Sequence, residues 1–203
     1  MVVSNERLSA VFDGVIAIAI TLLVLELKLP DTEGNGNHLQ FIEGLKEQLP
    51  EFIAWLISFV MIARIWQEQH SVWAGVSKCD RHSIILTFML MASCSLIPFN
   101  SHLVGDYPRV PLAILLFSIN MAFSGLIVAA LAAYSMRSTH LHREGGQVSL
   151  RTRIHYQLIV YPSVAIIAIF FAYIHEPLIG ISAWLLEPVA AFIFRQIKSP
   201  RSG

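Results

Sequence analysis

Six apolar runs, each long enough to cross a bilayer, dominate this 203-residue chain. A spanning helix needs about 20 mostly apolar residues, because the hydrocarbon core is about 30 Å thick and a helix rises about 1.5 Å per residue. The runs fall at roughly 8–27, 51–73, 83–103, 110–135, 155–173 and 177–194. Hydrophobic residues make up 55% of the chain and charged residues 14%, whereas soluble domains are about a quarter charged. The charges collect between the runs instead of interrupting them at the helical period. This pattern predicts an all-α membrane protein with six transmembrane helices, forming one domain over residues 1–203.

The connecting segments agree with that partition. Residues 30–48 read as a polar, acidic loop containing Gly34 and Gly36, and residues 136–153 as a basic loop centred on Gly145 and Gly146. A tight turn at His175, Glu176 and Pro177 separates the last two runs. The first run is too long for a signal peptide, and no small-residue cleavage site follows it before Lys28 and Pro30, so it is expected to be a retained span. Basic residues sort by side. Arg7, Lys78, Arg81, Arg137, Arg143, Arg151, Arg153, Arg195, Lys198 and Arg201 fall on the face shared by the two termini, against Lys28, Lys46 and Arg109 opposite. The positive-inside rule then predicts a multi-pass cell-membrane protein with both termini cytoplasmic. The formal net charge is zero, which points to no nucleic-acid partner.

Within the first run, Asp13 is an ionisable residue where one is expensive, so it marks a function or a specific partner. Candidate partners are Arg7, Arg64, His70 and Arg81. Arg64 is itself an intramembrane charge, and Glu68, four residues on, can pair with it along one helical face. Such a set of charges suits a buried ion pair that fixes helix register, and equally a gating or permeation element. It also suits the coupling network of a secondary or proton-coupled transporter, the alternative function, although the paired repeats usual in transporters are not visible. At 100° per residue, Ile18, Leu22 and Leu25 lie within about 60° of one another, and Asp13 points about 120–180° away. By spacing alone that stripe is ordinary packing.

Other chemistries find little support. Cys79 and Cys94 match neither a CxxC redox pair nor a zinc knuckle, and read as two free thiols. The eight histidines include no HExxH, no i, i+4 pair and no facing pair of the kind haem needs. Ser124-Gly125 lacks the GxSxG context of a hydrolase. Ser124, Gly125, Ala129, Ala132 and Ala133 more simply permit close helix packing. Pro98 and Pro162 sit inside apolar runs, where kinks are tolerated if neighbours satisfy the freed carbonyls. The chain therefore reads as no enzyme, with no cofactor and no resident metal.

The stretch Arg7, Asp13, Gly14 and then AIAITLLVLEL resembles the signature of the endolysosomal potassium channel family (transmembrane protein 175), in particular its prokaryotic six-helix members. That signature is Arg, three variable residues, then Phe-Ser-Asp. Trp66 with His70 resembles the family's second-helix pattern, and Ser95-Leu96-Ile97-Pro98-Phe99 its third-helix proline motif. Two positions depart: Val11 stands in place of Phe and Phe12 in place of Ser, so the serine's hydrogen bond is missing here.

The resemblance implies a homotetramer in the lipid bilayer whose four first helices line one cation-selective pore. No TVGYG-type filter is present. By motif position, Ile18, Leu22 and Leu25 would face the pore, Ile18 being the narrowest ring, with Thr21 close to the conduction path. Arg7, Asp13, Trp66 and His70 would hold the first helix in place. An aliphatic ring cannot coordinate an ion, so it passes ions that shed or distort their hydration shell. That favours K+ over Na+ as the permeant ion and allows gating by dewetting. Glu26, about 20 Å along the helix from Asp13, would sit near the outer mouth and can concentrate cations there. Its ordinary reading is a solvated interfacial charge.

Overall fold

The computed structural model describes residues 3–25, 27–28, 38–74, 76, 78–137, 147–174 and 177–198, and the regular structure among them is helical apart from one short ribbon. Among them are helices α1 (Asn5–Leu25), α2 (His38–Glu47), α3 (Leu49–Trp73), α4 (Arg81–Ser95), α5 (Ile97–Asp106), α6 (Pro111–Arg137), α7 (Gln147–Tyr173), α8 (Pro177–Ser182) and α9 (Leu186–Lys198). Strands β1 (Val3–Ser4) and β2 (Lys78–Cys79) pair antiparallel, with Val3 opposite Cys79. Among the described residues, five stretches are long and apolar enough to cross a membrane: α1, α3, α4 with α5, α6, and the 154–173 part of α7.

The third span is broken where the sequence demands it. Pro98 lacks the N–H that would bond to the carbonyl of Cys94, so α4 ends at Ser95 and the chain restarts as α5 with Pro98 in its first turn. At the other end of α4, Asp80 caps the helix by accepting the Ser83 N–H at 3.0 Å and the Ser83 hydroxyl at 2.9 Å. The last apolar run is also broken. It forms α8, a 3₁₀ turn at Ala183–Leu185 and α9, because Pro188 withholds the N–H that would reach the Trp184 carbonyl.

Two connections differ from the loops expected of them. Within 30–48, residues 38–47 form α2, in which Leu39, Phe41, Ile42 and Leu45 recur at helical spacing and make one apolar side. Residues 147–153 belong to α7, so the basic loop is shorter than the sequence suggested. Gly145, Gly146, His175 and Glu176 lie outside the described residues.

The core draws on α1, α3, α4, α5, α6 and α7, and α6 with α7 is the most extensively packed helix pair. Gly125 makes their approach possible: a Cβ there would lie 2.6 Å from the Tyr161 ring. Trp184 is fully buried beside this contact. Its ring meets Phe117 and Tyr161 edge-on at 6.2 and 6.0 Å, and its indole donates to Ser118 Oγ at 3.2 Å. A second clamp joins α4 to α6. Ser93 Oγ bonds to Asn120 Oδ1 and to Ser124 Oγ, each at 2.7 Å, while Asn120 donates back to the Ser93 carbonyl at 3.1 Å. Within the bilayer such bonds join helices without any help from water exclusion.

Candidate functional site

Helix α1 divides its circumference three ways. Leu8, Phe12, Ile16, Ala19 and Leu23, spaced four, four, three and four apart, form the face buried against the rest of the protomer. Asp13 lies on one flank of that face. Ile18, Leu22 and Leu25 lie on the other, and are 61%, 43% and 74% exposed. Phe12 therefore fills the protomer core with no exposure at all, while Val11 is exposed. Thr21 is exposed too, and its hydroxyl turns back on its own helix, 3.0 Å from the Ala17 carbonyl and 2.9 Å from that of Ile18.

The helix is fastened along its length. At its start, Asn5 Nδ2 donates to the carbonyls of Trp73 and Val76 at 3.1 and 2.7 Å, which ties α1 to the end of α3. In the middle, Trp66 of α3 donates its indole N–H to Asp13 Oδ1 at 2.8 Å. The Trp66 ring is stacked on His70 one turn along, with centroids 5.5 Å apart. Just beyond the helix end, Lys28 bonds Asp106 of α5 at 2.6 Å, and His102 reaches the other Asp106 oxygen at 3.3 Å.

Of the four partners considered for Asp13, none supplies its bond; the donor is Trp66. Arg7 and Arg81 are exposed, with no ion pair found for either among the described residues. His70 stacks on Trp66, which in turn donates to Asp13. Glu26 lies outside the described residues.

Arg64 turns inward and forms a separate network. Its Nε and Nη2 grip Glu187 of α9 at 2.9 and 3.0 Å, its Nη2 also meets Glu68 at 3.1 Å, and its Nη1 donates to Gln67 at 3.0 Å. Tyr156 of α7 completes the set, with its hydroxyl 2.8 Å from the Glu187 carbonyl oxygen and 3.0 Å from Oε1. Arg64, Glu68 and Glu187 are all buried. The i, i+4 pairing of Arg64 with Glu68 follows from helix geometry. Glu187 was missed by the sequence reading, although a lone carboxylate inside an apolar run is the signal that could have found it. The intramembrane charges thus form two sets instead of one relay.

Both cysteines are free and buried. Burial, with the Asp80 carboxylate adjacent, pushes the Cys79 thiol up to about 12, which leaves it protonated and unreactive near neutral pH. No group of three or more His, Cys, Asp or Glu side chains suited to a metal ion occurs among the described residues.

Comparison with known proteins decides the family. The profile of the endosomal/lysosomal potassium channel TMEM175 matches residues 7–98, which hold α1 and its supports on α3. A potassium channel of Streptomyces collinus is 30% identical over 160 residues, covering 76% of each chain. The chain belongs to the TMEM175 family. Its helices also superpose on a crystal structure of a TMEM175 homolog from Chamaesiphon minutus, described as a lysosomal potassium-selective channel. That match has a TM-score of 0.76 at 22% identity and covers 97% of this chain and 98% of that one. The mouse endosomal/lysosomal proton channel TMEM175 is 25% identical over 181 residues, but this chain spans only 36% of its length. TMEM175 proteins are multi-pass membrane channels, and the five apolar helical stretches described above suit that class.

Proposed function

We propose that this chain is one subunit of a potassium-selective channel that conducts K+ passively across the cell membrane. The observation that carries the reading is the three-way division of α1. A span whose apolar stripe is bare, while its opposite flank is bolted to the same protomer, is built to meet copies of itself about an axis. Relatives named as potassium channels, from Streptomyces collinus and Chamaesiphon minutus, support the choice of ion. The channel is a homotetramer. Ile18, Leu22 and Leu25 of four α1 helices line the pore, Ile18 as its narrowest ring, and Thr21 lies beside the path.

The exposed position of Asp13 and Trp66 supports assembly independently. A carboxylate on the outer surface of a lone protomer at membrane depth is costly. It becomes tolerable where a neighbouring subunit or cytoplasmic water covers it. Asp13 and Trp66, with His70 stacked on the indole, hold α1 at the angle the pore needs. Selectivity arises because K+ gives up its water more readily than Na+ at an aliphatic collar, and the same collar closes by dewetting.

Reconstitution into planar bilayers with ion replacement tests both parts. A K+ current that reverses according to the K+ gradient is expected, insensitive to an imposed proton gradient except through voltage. The Ile18→Asn channel should conduct but discriminate less between K+ and Na+. A wild-type permeability ratio in that variant would remove Ile18 from the constriction.

A further inference from the structure

Arg64 and Trp66 are neighbours but one on α3, and two residues correspond to about 200° around a helix. The two side chains therefore leave α3 on nearly opposite sides. Arg64 points into the protomer, where Glu187 grips it through two oxygens. Trp66 points the other way, to Asp13 on α1. Side chains held on opposite sides of one axis fix the rotation of that axis.

We infer that Glu187 of α9 is a positioning residue for the pore helix, acting through the rotational setting of α3. Two parallel N–H to carboxylate bonds fix direction as well as distance, which a single bond does not. Tyr156 keeps the carboxylate from turning, since its hydroxyl meets both the backbone oxygen and Oε1 of Glu187. The residue also stands in the first turn of α9, directly after the break in the last apolar run, so the broken segment sets its height along α3.

The lever is short enough to matter. Turning α3 by about 20° moves a group about 6 Å from its axis sideways by about 2 Å. That is enough to break the 2.8 Å bond from Trp66 to Asp13. Glu187→Gln is a mild way to release the grip, because it keeps the side chain's shape and leaves Arg64 beside Glu68 at 3.1 Å.

The inference rests on the channel reading, and two readouts keep the fates of the two apart. In the assembled protein with 15N-labelled tryptophans, the Trp66 indole signal is assigned by its loss in Trp66→Phe. Glu187→Gln should shift that signal and speed its exchange with water. In bilayers it should lower the K+/Na+ permeability ratio about 2- to 10-fold. Trp66→Phe should lower the ratio by a similar factor, and the double variant should go no further, since both changes cut the same lever.

An assembled Glu187→Gln protein with an unmoved indole signal and the wild-type ratio would overturn the inference. A double variant whose loss is the product of the two single losses would overturn it as well. If Glu187→Gln does not assemble, Tyr156→Phe, which frees the same carboxylate by deleting one hydroxyl, is read by the same criteria. Should the wild-type protein carry no K+ current, the channel reading would fall, and the indole signal would still decide the role of Glu187.

Discussion

Two aspartates, one within α1 and one capping α4, illustrate how differently one residue type serves. Asp13 accepts one bond, from Trp66, at an exposed edge. A buried hydrogen bond to a charged acceptor contributes about 1.5–3 kcal/mol, and at this exposed site about 1 kcal/mol is expected. Asp13→Ala should therefore reduce the yield of assembled channel on size-exclusion chromatography more than it unfolds the protomer. Full assembly with unaltered conductance would remove its supporting role. Asp80 is surrounded. Partial burial raises the affinity of its carboxyl for a proton, but Tyr134, the Ser83 amide and hydroxyl, and the nearby His82 outweigh that and hold it below the usual carboxylate range. A depressed folded-state value stabilises the fold above the ordinary carboxylate pKa, and that contribution is lost as pH falls through the folded-state value. Asp80→Asn keeps a cap acceptor and should flatten the acid limb of the melting temperature against pH; an unchanged limb would clear Asp80. Of these residues the sequence made Asp13 conspicuous by its place in an apolar run. Asp80, between two spans, looked like any interfacial charge, and nothing local in the sequence announced Tyr134 as its partner.

Long periodic segments declare themselves at the scale of helices; partners distant in the chain do not. The spans over α1, α3, α6 and α7 follow from length and hydropathy, and Pro98 marks the break between α4 and α5. Helix α2 was concealed because its ten residues mix glutamates with an apolar side in a stretch rich in turn formers. The β1–β2 ribbon was concealed because two residues carry no periodicity. Glu187 lies 123 positions from Arg64, and only the tertiary fold joins them. Small residues were legible as packing residues, but their counterparts were not. Gly125 proves to face Tyr161, and an added Cβ would fall 2.6 Å from its ring. Gly125→Ala should thus force α6 from α7 and cost about 1–3 kcal/mol through overpacking, read as a lower melting temperature in detergent. A companion Tyr161→Leu change, which withdraws the ring, should recover part of that loss, whereas a neutral Gly125→Ala would show that the two helices separate freely.

For the molecule as a whole, the number of crossings and the sidedness of its charges stand or fall together. Five stretches among the described residues qualify as spans by length and hydropathy. The sixth crossing proposed here must be made by helical pieces of 6, 3 and 13 residues, which together rise about 33 Å, just over the hydrocarbon thickness. If they did not cross, Arg195, Lys198 and Arg201 would join Lys28, Lys46 and Arg109 on the outer face, and the excess of basic residues on one side would shrink to seven against six, against the positive-inside rule. A broken final span that carries a buried, paired carboxylate is acceptable at membrane depth where protein covers the irregular turn, as it does at the buried Ala183 and Trp184. Cysteine labelling in intact cells tests the arrangement with little background, since Cys79 and Cys94 are buried and the Cys79 thiol stays protonated near neutral pH. Ser202→Cys should react with a membrane-impermeant maleimide only after the cells are opened, and Asn35→Cys should react in intact cells. Labelling of Ser202→Cys from outside would leave five crossings and place the carboxyl terminus opposite the amino terminus. The basic residues would then no longer explain how the chain inserts.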